Sequence, residues 1–145
     1  MEILKQLRRI DGKPDLAALP GLLPYARFMG FEVDLKGNEV TARMPYKRDL
    51  IGNARLPALH GGTIGALLEW TAVVQLLFDT ECARLPKTIG ITVNYLRSGR
   101  PVDTYARALV TKHGRRVANV QVSAWQDDRD RPIASANGNF LLQPS

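Results

Sequence analysis

The chain has 145 residues, which fits one domain with a core large enough to stand without disulfide or metal staples. Its 45% hydrophobic and 23% charged residues are ordinary for a globular protein and exclude a disordered or low-complexity chain. The net charge of +6 could suit nucleic acid, an acidic membrane face or a polyanionic small molecule; it is dispersed, with no aromatic-interleaved basic run, which argues against a dedicated nucleic-acid module.

The N-terminus places Ile3, Leu4, Leu7 and Ile10 at helical spacing, so an amphipathic helix is expected over Glu2–Ile10. Charges interrupt its apolar positions, unlike the continuous apolar block of a signal peptide. Asp11-Gly12-Lys13-Pro14 ends it, and Pro20-Gly21 opens a second helical piece through Arg27. Alternation from Phe31 to Leu35, a Gly37-Asn38 turn, and alternation again from Val40 to Met44 predict a hairpin. Residues 47–59 read as loop. A long apolar helix follows from Gly61 to about Ala83, closed by Pro86.

Beyond it the pattern is strands alone: Thr88–Leu96, Thr104–Lys112, Arg116–Trp125 and Ile133–Leu142. The long helix could be asked to span a membrane, but Glu69 at its middle and Gln75 near its end are costly in lipid, so a buried core helix is expected. A helix apolar on nearly every side must be surrounded, which suggests an α+β domain of about six antiparallel strands wrapped around it. No internal repeat or linker divides the chain, so residues 1–145 read as one domain with 1–29 as a helical N-terminal extension.

Glu69 is the anomaly, the only charged residue between Gly61 and Phe78, with Gly65, Ala66, Ala72 and Val73 as its helical neighbours. A carboxylate there sits at a groove, on an exposed edge, or on a structural hydrogen bond; burial would raise its pKa and make it a usable base. His60-Gly61-Gly62 precedes the helix, where open backbone N–H groups and the helix dipole can receive a developing negative charge. Glu69 lies nine residues beyond His60, roughly 13 Å along the axis and about half a turn round. Two such groups can act on one carbonyl only if a second subunit brings its glutamate across, which predicts a symmetric dimer.

Other candidates are less distinctive. Asn53 could orient a water or a carbonyl, though Gly52-Asn53 is also an ordinary turn. Thr88 at a strand start could hold a nucleophilic water, and Arg115-Arg116 after His113-Gly114 could hold a phosphate. Cys82 cannot pair within the chain, reads as a structural thiol, and makes a reducing compartment the expected setting. His60, His113 and Cys82 lack metal-ligand spacing.

These residues bear a resemblance. From about Gly30 to Leu142 the chain resembles the phenylacetate-pathway type of hot-dog-fold acyl-CoA thioesterase. The motifs are His60-Gly61-Gly62 with Glu69, Val93-Asn94-Tyr95-Leu96-Arg97, Gly114-Arg115-Arg116 and Ala134-Ser135-Ala136-Asn137-Gly138-Asn139-Phe140. The resemblance implies that Gly61 N–H polarises a thioester carbonyl and that His60 and Gly62 shape its pocket. Glu69 of the partner subunit then serves as general base or as nucleophile, with Thr88 near the attacking water. It places Arg115 and Arg116 where relatives meet the phosphates of coenzyme A; Leu96 is among the candidate apolar lining residues. Relatives commonly carry asparagine or glutamine six residues before the histidine, where this chain has Ala54, with Asn53 one residue further back.

The expected function is hydrolysis of an acyl- or aryl-CoA to free acid and coenzyme A. The alternative is a non-catalytic acyl-CoA or acyl-carrier binding protein of the same fold; a dehydratase fits the residues around His60 less well. The expectation includes a homodimer or homotetramer, no metal or redox cofactor, no nucleic-acid or membrane partner, and a cytoplasmic setting.

Overall fold

The structure, a computed structural model, describes residues 2–80 and 84–143. Two short ribbons precede the long helix: β1 (Arg9–Ile10) with β2 (Lys13–Pro14), and β5 (Ile51–Asn53) with β6 (Ala58–Leu59). Between them lie helices α1 (Leu19–Leu22) and α2 (Pro24–Met29) and the hairpin β3 (Glu32–Lys36)–β4 (Glu39–Met44). Then come the central helix α3 (Gly61–Thr80) and the strands β7 (Lys87–Tyr95), β8 (Thr104–His113), β9 (Val117–Trp125) and β10 (Ala134–Leu141).

The long strands form one antiparallel six-stranded sheet in the order β3-β4-β8-β9-β10-β7. Period-two alternation gives the sheet one inward face. Ala118, Val120, Val122 and Ala124 of β9 are all buried, as are Ala134, Ala136 and Phe140 of β10. With Ala42 and Ala106 also at zero exposure, the inner face is rich in small side chains and admits a helix at close range. α3 lies there, touching β4, β7, β8, β9 and β10, with ten of its twenty residues buried. By length and composition it could cross a membrane. Its place inside the sheet makes it the core helix of the domain.

The expected α+β architecture is present, and two local expectations need correction. Ile3–Gln6 is a single 3-10 turn rather than the start of a helix to Ile10, and the chain then turns through β1 and β2. Asp11 and Gly12 both have positive φ (51° and 79°), the conformation of a tight two-residue hairpin turn. That turn holds Arg9 and Ile10 extended, and an isolated helix this short has little stability to oppose it. Residues 47–59 are not wholly loop, since they contain a 3-10 turn and the β5–β6 ribbon. The expected end of the long helix, with Cys82, falls on residues 81–83, outside the described residues.

The N-terminal extension is tied into the domain: Ile3, Leu16, Leu19, Ala26 and Met29 are buried in the common core. α2 ends on Gly30 at φ +74°, and Phe31 N–H reaches back to the Ala26 carbonyl at 3.0 Å. At the far edge of the sheet, β7 is largely exposed, with Ile89 at 59% and Tyr95 at 54%.

Candidate active site

The N-terminus of α3 is organised by the residue before it. β6 ends at Leu59, and His60 N–H donates to the Leu50 carbonyl at 2.8 Å. His60 Nδ1 accepts the Gly62 N–H at 2.9 Å, and the His60 carbonyl accepts Thr63 N–H and Oγ1–H at 3.0 and 2.6 Å. His60 is thus a helix cap, and with Nδ1 accepting, a neutral ring carries its proton on Nε2. Gly62, expected to offer its N–H to substrate, gives it to His60 instead. No acceptor among the described residues takes the Gly61 N–H. That leaves one open donor at the positive end of a twenty-residue helix.

Tyr95 finishes this corner. Its hydroxyl donates to the Gly61 carbonyl at 2.8 Å, and a Cβ on Gly61 would stand 3.2 Å from its ring. The role of Tyr95 was not foreseen from sequence, although glycines at 61 and 65, one turn apart, are the signal for a flat ring lying on a helix.

Glu69 is exposed in the single chain, which among the readings left open by the sequence favours a carboxylate at a groove or an exposed edge. The physical reason is placement: Gly62, Gly65, Ala66, Glu69 and Val73 are incompletely buried and recur at helical spacing. Together they form one stripe of the helix that the sheet leaves open. Small side chains a turn to either side make the stripe a groove, with the carboxylate standing in it.

A cleft of about 190 Å³ opens at Glu69, floored by Ala66, Trp70 and Val73 of α3. Leu85, Pro86 and Thr88 form one side of it. The structure therefore brings together Glu69 and Thr88, two residues singled out separately in the sequence. Trp70 stacks on Phe31 with centroids 5.9 Å apart.

The remaining candidates stand elsewhere. Asn53 Oδ1 accepts the N–H groups of Arg55 and Leu56 at 3.0 and 3.3 Å, an Asx turn closing the 53–56 loop. Leu96 follows β7 at 54% exposure beside Tyr95 and does not line the Glu69 cleft. Arg115 and Arg116 are exposed on the β8–β9 turn, which Gly114 N–H and the Val117 carbonyl close at 2.9 Å. Among the described residues, no three His, Cys, Asp or Glu side chains converge as a metal site.

Gly61 and Glu69 are eight residues apart on one straight helix, about 12 Å along its axis. The open N–H and the carboxylate of one chain are therefore too far apart to meet at a single carbonyl.

Comparison with known proteins bears on the family and the fold. Residues 53–141 match the family model described as the acyl-CoA thioesterase N-terminal domain. A medium/long-chain acyl-CoA thioesterase of Escherichia coli K12, YigI, is 27% identical over 135 residues, covering 83% of this chain and 86% of its own. A solved protein of Chromobacterium violaceum is 36% identical with a TM-score of 0.72, covering 88% of this chain and 89% of its own. A thioesterase of Haemophilus influenzae shares the fold with a TM-score of 0.79 at 20% identity, covering 95% and 94%. With its helix wrapped by an antiparallel sheet and the family model matched over more than half its length, the chain belongs to the acyl-CoA thioesterase family and is a thioester hydrolase of hot-dog fold.

Proposed function

We propose that the protein hydrolyses medium- to long-chain acyl-CoA thioesters at a site shared between two subunits, probing the carbonyl with Gly61 N–H of one and attacking it with the help of Glu69 of the other. The observation that carries this reading is the pairing of an open Gly61 N–H with a carboxylate about 12 Å away along the same helix. A symmetric dimer with antiparallel helices brings each glutamate beside the other chain's glycine. The exposed edge of β7 supports the dimer, because a long uncovered strand with Ile89 and Tyr95 outward is a natural surface for a second copy.

In this mechanism the thioester oxygen gains charge as the carbonyl is attacked. Gly61 N–H meets it with a pre-aimed dipole, which costs no reorganisation at the moment of reaction. Glu69 takes the proton of the attacking water, or attacks first itself and is freed by water; Thr88, in the same cleft, orients that water by its hydroxyl. His60 acts through the helix cap, holding the first turn so that Gly61 N–H stays open. Arg115 and Arg116 would meet coenzyme A phosphates from their exposed turn. The preference for medium to long acyl chains follows the E. coli relative's activity, and the single cysteine fits a cytoplasmic setting.

The test is a panel of acyl-CoA substrates with detection of released thiol. Hydrolysis is expected with the native protein and at least a hundredfold less with Glu69→Ala in a still-folded dimer. Unchanged hydrolysis in that variant overturns the role of Glu69. Tight binding with no turnover at any chain length would instead identify an acyl-binding protein.

A further inference from the structure

The Glu69 cleft has a second side that lies outside the 53–141 match: Leu23, Tyr25 and Phe31 line it from the N-terminal extension. Each is held there for a reason. Leu23 precedes Pro24 and is extended (φ −116°, ψ 116°) between α1 and α2, as a residue before proline must be. Its carbonyl accepts Arg27 N–H at 3.0 Å, and its side chain packs on the core. Phe31 is buried on Trp70. Tyr25 is 59% exposed and stacks on Phe28, whose ring lies under Lys47 Nζ at 5.2 Å.

The extension is anchored by its own buried leucines, so this is a fixed wall rather than a loose arm. Leu85 and Pro86 line the same cleft. Apart from Glu69 at the reacting end and Thr88 beside it, the cleft is walled by apolar and aromatic side chains. Among its described lining residues no charged group other than Glu69 is present to meet a polar acyl group.

We propose that this wall, Leu23 and Tyr25 above all, gauges the acyl chain: the cleft takes a stretch of an unbranched alkyl chain, and Tyr25 is the lip it passes. The cleft has about 190 Å³ of space, enough for several methylenes, and its lining is apolar. The inference rests on the thioesterase reading of the same site. It adds that chain-length selection resides in a segment the family model does not cover.

The test measures binding, so that it stands apart from turnover. Calorimetric titration of the full-length protein uses non-hydrolysable S-alkyl-coenzyme A thioethers with four, eight and twelve carbons, and an S-phenethyl analogue. Each buried methylene is worth roughly fourfold in affinity. The eight-carbon thioether is therefore expected to bind the native protein at least tenfold tighter than the four-carbon one. Leu23→Trp, which fills the cleft, is expected to erase that ratio. Tyr25→Ala, at a largely exposed position, is expected to keep the fold and raise twelve-carbon over eight-carbon binding severalfold. Native-like chain-length ratios in folded Tyr25→Ala and Leu23→Trp overturn the proposal, as does phenethyl binding equal to that of the eight-carbon chain. Failure of the native protein to hydrolyse any acyl-CoA would strike the catalytic reading instead, and leave the binding ratios to decide this one.

Discussion

The hydroxyl of Tyr95 donates to the carbonyl of Gly61 at 2.8 Å, tying the last residue of β7 to the first residue of α3. The same strand carries Thr88 near its other end, in the cleft with Glu69. One strand thus spans both ends of the proposed chemistry. Replacing Tyr95 with phenylalanine keeps the ring over Gly61 and deletes only the hydrogen bond. A loss of about 0.5–1.5 kcal/mol is expected in urea unfolding. An unchanged midpoint would mean that water replaces the hydroxyl at no cost.

The proposed sharing of the site between two subunits predicts how mixtures behave. Gly61→Pro removes the open N–H at the first helical position, where proline's backbone is tolerated although its Cβ, 3.2 Å from the Tyr95 ring, makes that ring shift; Glu69→Gln removes the base. Each homodimer is expected to lose about 10²–10³-fold or more in turnover. Co-expressed, the two chains form heterodimers in which one of the two sites has an intact Gly61 from one chain and an intact Glu69 from the other. Activity of those purified heterodimers should return to about half the native value per dimer. No recovery would place both groups in one chain's site.

Gly52 tests the His60 cap. A Cβ there would stand 2.7 Å from the His60 Cα, a backbone contact that cannot swing aside. Gly52→Ala is expected to cost about 1–3 kcal/mol, as overpacking does, and to lower turnover by displacing the residue that caps α3. Chemical denaturation and kcat measured on the same preparation check it. Native stability with native turnover would show that the β5–β6 ribbon yields freely.

The β7 edge tests assembly. Ile89 is 59% exposed in the single chain, at the irregularity where the β7–β10 register shifts. Ile89→Glu is expected to give a monomer with native-like circular dichroism and little turnover, because a charge is costly to bury at an interface. Size-exclusion chromatography with light scattering distinguishes the states. A fully active dimer would move the interface off this strand.

Much of the fold was legible in the chain. Period-two alternation or β-rich composition marked all six long strands, and an eighteen-residue run with one charge marked the core helix, because both patterns are set by each residue's immediate neighbours. The same run made Glu69 conspicuous. The Asp11-Gly12 hairpin was missed because apolar residues at helical spacing were weighed above a dipeptide whose backbone prefers a tight turn.

What only the tertiary structure decided is who meets whom. Nothing local announces that Leu23 and Tyr25 face Glu69, more than forty residues away, or that His60 occupies Gly62 N–H and leaves Gly61 open. Nor does it announce that the sheet leaves bare the one helix stripe on which Glu69 stands. Periodicity says which face of an element is apolar. Which faces remain uncovered depends on how the elements pack, and a cleft consists of what packing leaves open.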